Sequence, residues 1–188
     1  MATEYLVRDG EARSTIVVGE DCADIYHFAA SEIQKYLHAI TGVALEIVVA
    51  SAAGDLQTPK AAIAVGGPEL NPLSRQVLDQ YPTRFDAVDL GAEGFILHTG
   101  TCRAATVIVV AGAGAKGTIY ATYELLERYG VTFEIDGDIL PEQTRDLELL
   151  ALDETMKPAF KYRGLHPFWN HLTSCQTWSL DDFKRFVD

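Results

Sequence analysis

Residues 94–133 read GFILHTGTCRAATVIVVAGAGAKGTIYATYELLERYGVTF, and their patterning decides the class of fold. Two apolar, β-branched runs, residues 94–99 and 106–110, are separated only by GTCRAA. A parallel crossover needs a dozen or more residues, so the spacing predicts an antiparallel hairpin. A glycine-rich turn, GAGAKG, follows the second run. Behind it Ile119, Thr122, Tyr123, Leu126 and Tyr129 recur on one side of a helix over 118–129. Gly130 caps that helix, and residues 131–135 (VTFEI) read as a further strand or extended edge.

Upstream, the first ten residues are polar and mixed, and residues 14–18 (STIVV) predict a strand closed by Gly19. Asp21 is the expected N-cap of a helix whose buried stripe is Ile25, Phe28, Ala29, Ile33, Tyr36, Leu37 and Ile40. Glu32, Gln34, Lys35 and His38 give it a wet face, and Gly42 stops it in a left-handed conformation. Residues 44–49 (ALEIVV) and 61–65 (AAIAV) predict strands on either side of a turn-rich connection, the second ended by Gly66 and Gly67. Asn71 and Pro72 are a cap and first-turn pair for a short helix burying Leu73, Val77, Leu78 and Tyr81, which Pro82 ends.

Downstream, residues 136–158 are acidic and punctuated, with one short extended piece at 147–150. A boundary is expected near Pro158. Residues 160–165 (FKYRGL) then read as a new strand, and Ser179 with Asp182 opens a helix that reaches the last residue. The fold class is therefore α/β, in the form of an α+β sandwich. A mixed β-sheet with helices packed on it occupies residues 1–158, and residues 159–188 form the first strand and first helix of another unit.

The chain has 188 residues, 48% of them apolar and 22% charged, which is enough for one packed domain with an appendage. With 15 Lys and Arg against 27 Asp and Glu the net charge is -12, which argues against nucleic acid as a partner. No apolar run is long enough to cross a membrane as a helix. No signal peptide is read at the N-terminus, so the compartment stays open, and export would require that a leader had been removed. Three widely spaced cysteines, Cys22, Cys102 and Cys175, do not form a disulfide framework.

Gly112, Gly114 and Gly117 fit G-x-G-x-x-G between strand and helix, with Glu134 about 20 residues on, as in a dinucleotide-binding turn. Against that reading, the motif sits deep in the chain after a hairpin, and Lys116 precedes the last glycine, so no P-loop forms. The alternative is a glycine-rich entry into a packed helix, and no cofactor is expected. Arg163, His166, Trp169 and Asn170, with His171 and Trp178, have the composition of a sugar site, where rings cover apolar faces and polar groups take hydroxyls. They equally suit a loop packed on a neighbouring domain. His166, His171 and Cys175 lack a fourth ligand for zinc, so no metal is expected. His98 is expected to meet solvent or a strand neighbour, and Cys22 and Cys102 to be small packed residues. Asp136 and Asp138 flank Gly137 and suit a turn better than the carboxylate pair of a glycosidase, so no catalytic residue is assigned.

Several segments together resemble the small N-terminal domain of the alpha-glucuronidases and bacterial beta-N-acetylhexosaminidases. They are DCADIYHFAASEIQKYLHAITG at 21–42, AAIAVGG at 61–67, EGFILHT at 93–99, VIVVAGAGAKGTIYATYELLERYGVTF at 107–133 and PAFKYRG at 158–164. The resemblance implies an α/β domain with helices on one face, packed beside a (β/α)8 catalytic barrel. It implies that the glycine turn is structural and that the catalytic carboxylates lie further along the parent enzyme, outside this chain. Residues 159–188 would then be the truncated start of the barrel, and Arg163 would match an arginine of its first strand that holds sugar hydroxyls. Beyond Gly164, HPFWNHLTSCQTW departs from the hexosaminidase continuation and leaves the sugar open between a uronic acid and an N-acetylhexosamine. The expected partners are a carbohydrate, reached through the parent enzyme, and the barrel itself. Two other readings stand beside this one: an independent carbohydrate-binding module and a nucleotide-binding α/β domain.

Overall fold

The computed structural model describes residues 3–51, 60–81, 89–134, 137–164 and 177–187. A six-stranded sheet forms the centre. Its strands are β3 (Ser14–Gly19), β4 (Glu46–Ala50), β5 (Ala61–Val65), β6 (Phe95–Cys102), β7 (Ala105–Gly112) and β9 (Asp153–Met156), in the order β4-β3-β5-β7-β6-β9. The first four in that order are parallel, and β6 runs antiparallel to both its neighbours. A smaller antiparallel sheet pairs β2 (Glu11–Ala12), β1 (Tyr5–Arg8) and β8 (Leu147–Glu148).

The predicted hairpin is present as β6 and β7, with only two residues between the strands, and Arg103 there takes a left-handed φ of 56°. Alternation along the central strands gives the sheet two apolar faces. Ile16, Val18, Ile63, Val65, Leu97, Ile108 and Val110 face α1 (Asp24–Thr41) and α3 (Ala115–Arg128). Val17, Ala62, Ala64, Ile96, Val107 and Val109 face α2 (Pro72–Leu78). Helices thus cover both faces rather than one. The alanines of β5 create the shallow seat that so short a helix can fill.

Several local expectations are corrected. Asp21 does not cap α1; the cap position is Ala23, with no side-chain hydrogen bond. The buried stripe of α1 is Tyr26, Ala29, Ala30, Ile33, Tyr36, Leu37, Ile40 and Thr41, which leaves Ile25 and Phe28 exposed. Tyr81 is also partly exposed. The first ten residues contain β1, in which Leu6 and Val7 are fully buried. The acidic stretch before Pro158 supplies β9, an edge strand of the main sheet. Among the described residues of 131–135 there is no strand, only an isolated bridge between Thr132 and Ile139.

Residues 160–164 carry no strand, because a strand exists only when a neighbour pairs with it. Leu165 lies outside the described residues. Ser179 and Asp182 do form the expected capping box: the Ser179 backbone N–H donates to Asp182 Oδ2 at 2.7 Å, and Asp182 N–H donates to Ser179 Oγ at 3.2 Å. They open α4 (Leu180–Val187).

Candidate functional site

Two of the three glycines of the turn are packed against backbone. A Cβ on Gly112 would stand 2.2 Å from the Gly117 carbonyl carbon, and one on Gly117 would stand 2.5 Å from Gly94 O. Both glycines are therefore needed for close packing of turn, helix and the start of β6. Gly114 has open space around it and an extended φ of -178°, which any residue adopts. The Gly112 N–H donates to Thr118 Oγ1 at 3.1 Å, which ties the end of β7 to the first turn of α3. The Ala113 N–H donates to Gly94 O at 2.9 Å.

The second place where an open α/β sheet admits a ligand is the point at which successive helices leave to opposite faces. Here that point lies between β3, followed by α1, and β5, followed by α2. Asn71 occupies it. Its Nδ2 donates to Val17 O at 2.8 Å and to Val65 O at 3.0 Å, the carbonyls near the carboxyl ends of the two strands. Its Oδ1 accepts from the N–H groups of Leu73 and Ser74 and caps α2. Sequence reading finds the cap; the bridge between two strands becomes visible only in the assembled sheet. A Cβ on Gly19 would meet Leu70 O at 1.9 Å, so the loop carrying Asn71 lies directly on the end of β3.

Of the sugar-site residues expected from sequence, His166, Trp169 and Asn170 lie outside the described residues, as do Phe168, His171 and Cys175. Arg163 is described. Its NH2 pairs with Glu93 Oε2 at 2.5 Å and its NH1 donates to Phe160 O at 2.6 Å. Hydrogen bonding from Arg163 holds the Glu93 carboxyl below the usual carboxylate range, helped by Lys116. Tyr120 of α3 also acts on the guanidinium. Arg163 thus fastens the segment after β9 to the sheet end where α3 begins.

A cleft of about 560 Å³ opens between α1, α3 and the turn after Phe133. Phe133 sits edge-on between two tyrosines, 5.3 Å from the Tyr36 ring and 4.9 Å from the Tyr123 ring. The Tyr36 hydroxyl donates to Asp138, and the Tyr123 hydroxyl donates to Glu32 at 3.1 Å. Burial, then the neighbouring carboxylates, raises both phenols, Tyr123 to about 12. Glu127, Glu134, Lys35 and Arg185 complete the lining. The sequence pass counted Tyr36 and Tyr123 only as core positions at helical spacing, and Asp138 only as a turn residue. The carboxylates one turn or one strand away that give the cleft its polar character are separated in sequence and join only in the fold.

The remaining candidates have local partners. His98 Nδ1 meets Asp153 Oδ1 of its strand neighbour at 3.2 Å, and its ring lies edge-on to Tyr81. Cys22 Sγ is 3.5 Å from His27 Nε2, and Cys102 donates to Gln76 Oε1 at 3.0 Å. Burial pushes both thiols up, away from the thiolate that a nucleophile needs. Among the described residues no group of three or more His, Cys, Asp or Glu is placed to hold a metal ion, and no helix is long and apolar enough to cross a membrane.

No curated protein matches the chain. Residues 6–125 match the family model described as Glycosyl hydrolase family 67 N-terminus.

Proposed function

The chain belongs to the glycosyl hydrolase family 67 N-terminal domain family, that of the alpha-glucuronidases, and from this premise we propose that it serves as the accessory domain of a glycoside hydrolase and does no chemistry itself. The observation that supports this reading is the closure of the sheet's switch point by the chain's own Asn71, whose side chain bridges the ends of β3 and β5. A domain built to bind a ligand at that point would leave the crevice outside the strand ends open.

In this reading residues 1–158 border the catalytic barrel and residues 159–188 begin it. The barrel supplies the two carboxylates that cleave the glycosidic bond of a uronic acid or an N-acetylhexosamine. Arg163, His166, Trp169 and Asn170 are the residues that would take the hydroxyls and faces of the sugar. Glu93, the Phe160 carbonyl and the Tyr120 hydroxyl engage the Arg163 guanidinium, which has five donors in all. The test is an assay of the 188-residue chain and of the complete gene product on aryl glycosides of glucuronic acid and N-acetylglucosamine. The complete enzyme is expected to release the aglycone and the chain alone to release none. Turnover by the chain alone would overturn the reading.

An independent carbohydrate-binding module is a second reading, favoured by the cleft of Tyr36, Tyr123 and Phe133. Its size falls within the range of small-molecule sites, and its carboxylates are hydroxyl acceptors. A titration of the chain with oligosaccharides, repeated with Phe133→Ala, separates it from the first reading.

A further inference from the structure

We infer that the cleft between α1 and α3 takes an amino sugar, with the ammonium group against the rings of Tyr123 and Phe133 and within reach of Glu127 and Glu134. The inference rests on the second reading above and names the ligand class for it. The strand ends that Asn71 closes lie elsewhere on the sheet and play no part in it.

Four carboxylates, Glu32, Glu127, Glu134 and Asp138, line the cleft against two cations, Lys35 and Arg185. Both cations are engaged on their own helices. Lys35 Nζ stands 3.2 Å from Glu32 Oε1, and Arg185 acts on Asp182. Asp138 and Glu32 each accept one phenol hydroxyl and keep further lone pairs. Among the described residues Glu127 and Glu134 form no ion pair, and both are exposed. The cleft therefore holds uncompensated negative charge beside an aromatic wall.

The chain's own lysine shows what a cation does at this wall. Lys35 places its ammonium 4.6 Å from the centroid of the Tyr36 ring while it pairs with Glu32. That is a cation–π contact with a carboxylate alongside. Tyr123 and Phe133 are half-buried, so their rings continue the same wall into the cleft. An N-acetylated sugar has no charge to place there, and a uronate brings a carboxylate against four others. An alkyl amine would use one carboxylate. Four of them around a cleft of about 560 Å³ suit a ligand that carries hydroxyls as well as a cation.

The test is an NMR titration of the 188-residue chain with glucosamine disaccharide, its N-acetylated form and a glucuronic acid disaccharide. The glucosamine disaccharide is expected to shift the ring signals of Tyr123 and Phe133 saturably, with roughly tenfold higher affinity than the acetylated form, and the uronate to shift neither. A double variant, Glu127→Gln with Glu134→Gln, changes exposed positions only and is expected to weaken glucosamine binding roughly five-fold or more. Equal affinity for the acetylated form, or binding of the uronate, would overturn the ammonium assignment and leave the binding-module reading standing. Glucosamine binding that the double variant does not weaken, or that leaves the two rings unmoved, would overturn the site. No binding of any of the three would overturn the inference and the binding-module reading together.

Discussion

The side chain of Asn71 donates to the carbonyl of Val17, 54 residues earlier in the chain, across 2.8 Å. With its second donation, to Val65 O, it joins two parallel strands at the point where a ligand would otherwise enter. One residue therefore caps a helix and joins two strands at the switch point of the sheet.

Asn71→Asp keeps the capping acceptor and removes both donations, leaving two strand carbonyls facing a carboxylate in a fully buried site. A loss of roughly 2–4 kcal/mol is expected, since each unsatisfied buried group costs about 1–3 kcal/mol. Thermal unfolding checks this, with a fall in Tm of roughly 5–15 °C for a domain of this size. A variant as stable as the parent would show that the bridge does not hold the strands.

The glycines of the turn separate by role. Gly117→Ala forces a Cβ against Gly94 O and Gly112→Ala forces one against the Gly117 backbone, so both are expected to unfold the domain at lower denaturant. Gly114→Ser meets open space at an N-cap position that favours serine, and stability is expected to hold or rise. Loss of stability in Gly114→Ser alone would contradict the packing account of this motif.

Glu93 ties the departing segment through Arg163, and its folded-state pKa is depressed. A depressed carboxylate contributes fully above its ordinary value of about 4.3 and loses that contribution as pH falls through the lower folded value. An NMR titration is expected to find Glu93 below the ordinary range, and Arg163→Gln to return it there. An ordinary Glu93 value in the parent chain would place Arg163 free of the sheet.

The phenols run the other way. Tyr123 is raised to about 12, chiefly by burial and then by Glu32. The fold favours the neutral phenol, so this contribution is whole below about 10, the unfolded value, and is lost as pH rises towards the folded one. Spectrophotometric titration is expected to show late-titrating tyrosines, with Glu32→Gln lowering Tyr123 only in part. Titration of every tyrosine near 10 in the folded chain would contradict the packing of this cleft.

The hairpin and α3 were legible because the periods of two and of 3.6 residues are both strong there and the connection is too short for a crossover. β9 was not, since DETM is an edge strand with acidic residues outward and partners 55 and more residues away. β1 was hidden in four residues whose burial comes from the second sheet. Ile25 and Phe28 fall at helical spacing on α1 yet are exposed, because spacing sets the side of the helix and not what covers it. The site was less legible than the fold: Arg163 was found, but its partner Glu93 is 70 residues away, and Asn71 showed only its local capping role.

The measurement that bears most directly on the proposed role is calorimetric titration of the folded 188-residue chain with glucuronic acid, N-acetylglucosamine and NAD. No heat of binding with any of the three is predicted, because Asn71 occupies the strand ends and the proposed role places the sugar site in the barrel. Saturable binding of NAD would contradict the closure by Asn71, and saturable binding of either sugar would make the chain a binding module in its own right.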